Sequence, residues 1–174
     1  MKQQAQPLLS KAGQHALDQY RQALQQCEDI SPVTIRNYLS ALLQFIAWCE
    51  GSWHERQEDR FFVPQMIAPS LLIRYREYLQ TTLDLKPSTV NRTLMSLKRY
   101  FAWARKTQLT QADPASSIKF VPKEASPLRR LSDEEEEVLV ATVNAVETLR
   151  DQTIITLLLH TGLRAQELCT HVPA

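Results

Sequence analysis

The 174-residue sequence has a formal net charge of +1, with 44% hydrophobic residues, 22% charged residues and three glycines. This balance is typical of a globular protein and excludes disordered and fibrous classes, while the scarcity of glycine argues against an all-β sandwich or barrel. The longest apolar run, near residues 154–159, is too short to cross a bilayer, and the polar N-terminus lacks the apolar core of a signal peptide. We therefore expect a cytoplasmic protein with no membrane partner.

Charge is unevenly distributed along the chain. Residues 1–123 contain 16 basic and 10 acidic residues, a balance of +6, whereas residues 124–174 contain 4 and 9, a balance of −5. Such asymmetry predicts two modules, of which the basic one is the candidate for a polyanionic partner.

The metal-ligating residue types show no ligand spacing. The cysteines are three in number and no two of them form a Cys-x-x-Cys pair, and the four histidines are scattered. We expect no zinc site and no cofactor, and we expect Cys27 and Cys49 to be small buried apolar residues.

Six helices are predicted in chain order. Ser31 is a good N-cap and Pro32 suits the first position of the second helix, and Ser132 with Glu135 forms a capping box at the start of the fifth. Residues 53–66 are predicted to be a loop, and residues 108–130, with three prolines, lack helical periodicity. The helices are predicted at residues 14–26, 32–50, from 69, 87–107, from 132, and about 147–161.

An internal repeat relates the second and fourth helices. Residues 32–49 and 87–104 align without gaps at an offset of 55, and share Pro-x-Thr-[Ile/Val] at the start and Ala-Trp near the end. Two copies are too few for a solenoid, so we interpret them as two similar helices of a compact bundle.

The fourth helix carries a one-sign charge pattern. Between Lys86 and Lys106 there are six basic residues and no acidic one, and Arg92, Arg99 and Lys106 lie opposite the apolar stripe. A stripe of one sign repels itself and favours an anionic partner, although a merely basic surface is the alternative. The candidate DNA-binding residues on this helix are Thr89, Arg92, Ser96, Lys98, Arg99 and Lys106.

The second helix carries small and amide side chains on the corresponding face. Asn37, Ser40, Ala41 and Gln44 lie away from the predicted core, with Arg36 nearby. Such a face suits entry into a major groove and contact with base edges, and it suits plain solvent exposure equally well. The candidate DNA-binding residues here are Arg36, Asn37 and Gln44.

The most specific string lies near the C-terminal end. In Leu-Leu-His-Thr-Gly-Leu-Arg-Ala-Gln-Glu-Leu, residues 158–168, Gly162 can end a helix in the left-handed conformation. Arg164 then lies in a turn where its guanidinium can hold two phosphate oxygens. The alternative is an ordinary helical corner with an exposed arginine.

Together these elements resemble the tyrosine recombinase (phage-type integrase) family. The Thr-Gly-Leu-Arg-x-x-Glu-Leu string, the Pro-x-Thr helices and the Leu-Ser-x-x-Glu opening at Leu131 follow the order found in that family. The resemblance implies an all-α chain with a four-helix core-binding (SAM-like) bundle in residues 1–112 and a linker in residues 113–130. Residues 131–174 would be a helical N-terminal fragment of an incomplete α+β catalytic domain.

The resemblance also implies a chemistry. Arg164 would hold the scissile phosphate as the first catalytic arginine, and Glu167 would support it. The family forms a transient 3′-phosphotyrosyl linkage, which needs neither ATP nor a metal. The implied partners are double-stranded DNA and other recombinase protomers on it, with no small-molecule substrate.

The sequence departs from the family after Leu168. The lysine, the His-x-x-Arg box and the nucleophilic tyrosine that follow in the family are missing, and all five tyrosines precede Arg164. We therefore expect a truncated chain that binds DNA without cleaving it. A stand-alone helical DNA-binding regulator and a helical protein–protein adaptor are the alternatives.

Overall fold

The computed structural model describes residues 8–27, 29–56, 58, 61–123, 130–146 and 148–171, in two compact units, Met1–Glu124 and Ala125–Ala174. The described residues form helices and no strand, which confirms the all-α class. The first unit contains α1 (Lys11–Gln25), α2 (Pro32–Glu55), α3 (Pro69–Glu77) and α4 (Pro87–Lys106), with a 3₁₀ turn at Pro64–Met66 and a π-helical turn at Tyr78–Thr82. The second unit contains α5 (Asp133–Val146), α6 (Leu149–Thr161) and α7 (Ala165–His171).

Short capping motifs set where the first helices begin. The Ser31 hydroxyl accepts a hydrogen bond from the Thr34 amide (3.2 Å) at the start of α2, as the sequence predicts. The Ser10 hydroxyl accepts one from the Gly13 amide (3.0 Å), so α1 begins at Lys11, three residues before its predicted start.

The prediction that α2 ends near Gly51 and gives way to a loop at residue 53 is wrong. The helix continues to Glu55 because Trp53 is buried in the core, and this contact stabilises the additional turn. The Glu50 carboxylate accepts hydrogen bonds from the Ser10 amide (2.9 Å), the Ser10 hydroxyl (2.5 Å) and the Phe62 amide (3.1 Å). One side chain therefore joins the start of α1, the last turns of α2 and the segment that follows α2.

Aromatic side chains dominate the core of the first unit. Phe45 is fully buried and makes edge-to-face contacts with Tyr75, Phe62 and Phe101, with ring centroids 5.0, 6.0 and 6.2 Å apart. The predicted apolar stripe of α4 and the inward residues of α3 with its π-helical turn are all buried: Val90, Leu94, Leu97, Phe101, Leu72, Tyr75 and Leu79.

Residues 110–123, which we call the return segment, pack against the helices of the first unit. Ala115 and Ile118 are buried, and the Asn91 side-chain amide forms two hydrogen bonds with the Val121 backbone, one to the carbonyl and one from the amide, both 2.8 Å long. Arg76 Nη1 donates to the Lys119 carbonyl (3.2 Å). The first unit thus includes residues 113–123, which the sequence assigned to a linker; residues 124–129 of that linker lie outside the described residues.

The second unit is built from well-capped helices with little enclosed core. The Ser132 hydroxyl accepts from the Glu135 amide (3.2 Å) and Glu135 Oε2 accepts from the Ser132 amide (3.0 Å), the reciprocal pattern of a capping box. α6 begins after the Thr148 N-cap, and Glu147, its predicted start, lies outside the described residues. Among the described side chains of this unit, Leu168 alone is buried.

Candidate nucleic-acid interface

The outer face of α4 is a continuous exposed stripe. Six exposed residues follow one another at spacings of four and three, which keeps them on one side of the helix. We call this set the cationic stripe, and it consists of Ser88, Arg92, Met95, Arg99, Ala102 and Lys106. None of its three basic residues forms an ion pair with any residue that the structure describes.

The outer face of α2 carries a second exposed stripe in the same register. We call it the amide stripe, and it consists of Val33, Asn37, Ser40 and Gln44. Each member lies 55 positions before a member of the cationic stripe, so Asn37 corresponds to Arg92 and Gln44 to Arg99. Arg36 is exposed beside this stripe. Ala41, which the helical pattern placed on the same face, is buried.

One contact links the two helices at their exposed sides. The Arg99 guanidinium lies over the ring of Tyr38 on α2, with its central carbon 5.4 Å from the ring centroid. The middle of the cationic stripe is therefore next to the beginning of the amide stripe. Sequence reasoning missed Tyr38, because no periodicity or charge pattern pairs an aromatic residue of one helix with a basic residue of another.

Lys98 has a different environment from the cationic stripe. Its ammonium donates to the Ser116 carbonyl (3.2 Å) and lies 5.5 Å from the centroid of the Phe120 ring, so the return segment holds it. Thr89 is half-buried in the first turn of α4. These two candidates flank the cationic stripe and are less accessible than Arg92 or Arg99.

Ser96 requires a correction. The sequence predicts Ser96 as a DNA-binding residue, but only 4% of its surface is accessible. Its hydroxyl donates to the carbonyl of Arg92 one turn earlier (3.0 Å), so the polar group is satisfied within the helix. Ser96 is therefore removed from the candidate interface.

The turn between α6 and α7 has the predicted left-handed glycine. Gly162 has φ +65°, a conformation that residues with a Cβ rarely adopt. Glu167 accepts hydrogen bonds from the Arg164 amide (2.8 Å) and from Arg164 Nη1 (2.9 Å). The Arg164 side chain remains 84% exposed, so its remaining N–H groups are accessible to a ligand.

Comparison with known proteins identifies the family of this chain. The tyrosine recombinase XerC of Myxococcus xanthus is 31% identical over 160 residues, which cover 88% of this chain and 49% of that relative. The tyrosine recombinase XerD of Ralstonia nicotianae is 34% identical over 87 residues, which cover 49% and 28%, respectively. The pattern of the phage integrase N-terminal SAM-like domain matches residues 17–108, more than half of the chain.

The chain belongs to the tyrosine recombinase family. It spans about half the length of the curated relatives that it matches. No solved structure matches it significantly.

All five tyrosines of this tyrosine recombinase chain lie in its first unit. Tyr20, Tyr75 and Tyr100 are buried, and burial raises the pKa of each phenol well above its ordinary value. Tyr38 lies under Arg99, and Tyr78 stacks on Tyr75 with centroids 6.2 Å apart. All five therefore have packing roles, and none lies in the unit that contains Arg164.

Among the residues that the structure describes, no group of three or more His, Cys, Asp or Glu side chains could hold a metal ion. Within those same residues, no helix is both long enough and apolar enough to cross a membrane.

Cys49 is buried, and burial raises the pKa of its thiol, whereas Cys27 is exposed, contrary to the sequence prediction.

Proposed function

We propose that this chain binds duplex DNA through the exposed faces of α2 and α4, as part of a site-specific tyrosine recombinase. The observation that carries the proposal is the cationic stripe, in which Arg92, Arg99 and Lys106 are exposed on one face without acidic neighbours. Exposed helices ordinarily mix both charge signs, because pairs of opposite charge one turn apart are stabilising. A helix that lacks them is best explained by an anionic surface that supplies the missing charge.

The two stripes have different proposed roles, phosphate contact for the cationic stripe and base contact for the amide stripe. Arginine and lysine contact phosphates, which fixes the position of the protein on the duplex without reading its sequence. Asn37 and Gln44 have the amide groups that can pair with adenine in the major groove, so α2 is the proposed sequence-reading helix, with Arg36 at its edge. Thr89 and Lys98 lie at the margin of the contact.

Arg164 and Glu167 belong to the chemical part of the proposal. The exposed guanidinium is proposed to hold the phosphate that is cleaved, while the two hydrogen bonds from Arg164 to Glu167 fix the direction of the arginine. Cleavage also needs a nucleophile, and the tyrosines of these 174 residues are committed to the first unit. We therefore propose that these residues alone bind DNA without forming a phosphotyrosyl bond. The proposed partner would place the protein in the cytoplasm, together with further recombinase protomers on the same DNA.

Fluorescence anisotropy of the 174-residue protein on a labelled duplex, repeated at several salt concentrations, tests the binding. We expect the logarithm of the affinity to fall linearly with the logarithm of the salt concentration, with a slope of about −0.9 for each phosphate contacted. Arg92→Glu combined with Arg99→Glu should weaken binding by several kcal/mol, since hydrogen bonds to charged groups are worth roughly 1.5–3 kcal/mol each. The melting temperature should hardly change, because both side chains are exposed.

The matched control is Lys11→Glu combined with Arg74→Glu, which makes the same change in net charge at exposed positions of α1 and α3. A control that weakens binding as much as the test pair would overturn the assignment of α4. Absent or salt-insensitive binding would favour a protein–protein adaptor instead.

On a nicked suicide duplex, a denaturing gel should show no covalent protein–DNA adduct, and an adduct would overturn the proposed lack of cleavage.

A further inference from the structure

Arg99 differs from the other basic residues of the cationic stripe in having a packed partner. Its guanidinium lies over the Tyr38 ring at 5.4 Å, and Tyr38 is itself half-buried against the core of the first unit. Arg92 and Lys106 have no ring contact among the described residues. Of the three basic residues on this face, Arg99 is therefore the one whose side chain is supported by a ring.

The surroundings of Tyr38 include α1 as well. Tyr20 on α1 is buried and its hydroxyl has no hydrogen-bond partner among the described residues. Burial raises the pKa of Tyr20, and the nearby Arg99 cation acts in the opposite direction. Arg99 is thus close to aromatic residues of two helices, and the ring beneath it belongs to a half-buried side chain that packs against the core.

Contact with an aromatic ring restricts the motion of a guanidinium. A guanidinium held over a ring by the cation–π attraction keeps its planar fork of N–H donors available to a further partner. The fork of N–H donors matches two oxygens of a phosphate. Because the arginine side chain is already held in place, binding a phosphate costs less conformational entropy. Arg92, which has no such support, must be ordered during binding.

We propose that Tyr38 is a positioning residue for DNA binding, which holds the Arg99 guanidinium flat over its ring so that the outward N–H groups receive a backbone phosphate. This inference rests on the DNA-binding function proposed above. Tyr38 itself does not touch DNA in this arrangement, and its whole contribution to affinity passes through Arg99. Asn37 of the amide stripe is the residue before Tyr38, so the phosphate held by Arg99 also sets the register of α2 along the groove.

A double-mutant cycle on the full 174-residue protein tests this arrangement, with duplex affinity as the readout. Tyr38→Leu should weaken binding about two- to tenfold, the range expected when one side chain must be ordered during binding. The same substitution should have no effect when Arg99→Gln is already present, and it should keep its full effect beside Arg92→Gln. Tyr38→Phe should bind like the unmodified protein, because the ring is retained.

The possible outcomes distinguish a Tyr38 that positions Arg99 from a Tyr38 that only packs against the core. Equal losses from Tyr38→Leu with and without Arg99→Gln would overturn the proposal, as would a loss in Tyr38→Phe. If Tyr38→Leu lowers the melting temperature, the comparison of Arg99→Lys with Arg92→Lys decides, since lysine keeps the charge but not the planar fork. We expect a larger loss at position 99 than at position 92, and equal effects would contradict the proposal. Failure of the unmodified protein to bind DNA would instead refute the proposed function.

Discussion

The repeated helices α2 and α4 carry similar residues at the positions that face the core and different residues at the exposed positions. At the matched positions that face the core, both place apolar side chains, such as Leu42 with Leu97 and Ile46 with Phe101, and all four are buried. At the matched exposed positions, α2 has amides where α4 has arginines. The inner positions are constrained by packing density, whereas the outer positions are free to carry chemistry.

This contrast shows where a repeated pattern informs about function. The shared residues describe how the helices pack, so they identify the bundle and little else. The residues that differ at the same register, Asn37 against Arg92 and Gln44 against Arg99, indicate what each face meets. We interpret α4 as the phosphate-contacting helix and α2 as the sequence-reading helix, and three predictions examine that division in order of decreasing effect.

The largest effect should come from giving α2 the charges of α4. Asn37→Arg combined with Gln44→Arg should raise the affinity for any duplex by about one to two orders of magnitude at low salt, through added phosphate contacts. The dependence of affinity on salt should become steeper, and anisotropy titrations measure both quantities. Gln22→Arg with Gln25→Arg on α1 adds the same charge at exposed positions outside the stripes and should have much less effect. Equal gains from the two pairs would mean that α2 is not near DNA.

A smaller effect on overall duplex affinity should follow from removing a single amide. Asn37→Ala should cost about 1–3 kcal/mol of discrimination at one base pair while leaving the salt dependence unchanged. Selection of binding sites from a randomised duplex pool, done in parallel with the unmodified protein, should show the loss of preference at that position. A uniform loss across all sequences would instead place Asn37 at a phosphate.

The smallest effect should come from the buried hydroxyl of α4. Ser96→Ala should change duplex affinity by less than about twofold, the size expected for a substitution remote from the interface. Anisotropy and urea unfolding, measured on the same preparation, separate affinity from stability. A large loss of affinity at unchanged stability would return Ser96 to the interface.

Local signals in the sequence were sufficient for most of the fold. Ser31 with Pro32, the capping box at Ser132 and the left-handed Gly162 each act within one turn of a helix, so their effects can be read from neighbouring residues. The apolar stripe of α4 follows helical periodicity and is buried as expected. These features need no knowledge of the partner elements.

Two departures from the sequence predictions come from contacts distant in the sequence, whereas that of Ser96 is local. Gly51 was a reasonable end for α2, but Trp53 finds a place in the core and extends the helix. Ser96 was a reasonable surface residue, but its hydroxyl can be satisfied by its own helix and then buried. The contact between Arg99 and Tyr38 joins residues 61 positions apart, and no local rule predicts it. The exposed stripes were largely predictable, whereas the support beneath them was not.

The return segment bears on how the first unit should be isolated. The family match ends at residue 108, yet Ala115 and Ile118 complete the core, and the Asn91 amide is paired with the Val121 backbone. A fragment that stops near residue 112 would uncover apolar side chains on the surface of α3 and α4 and leave a side-chain amide unpaired. It would therefore tend to aggregate during purification, and extending it through Lys123 would restore a closed surface.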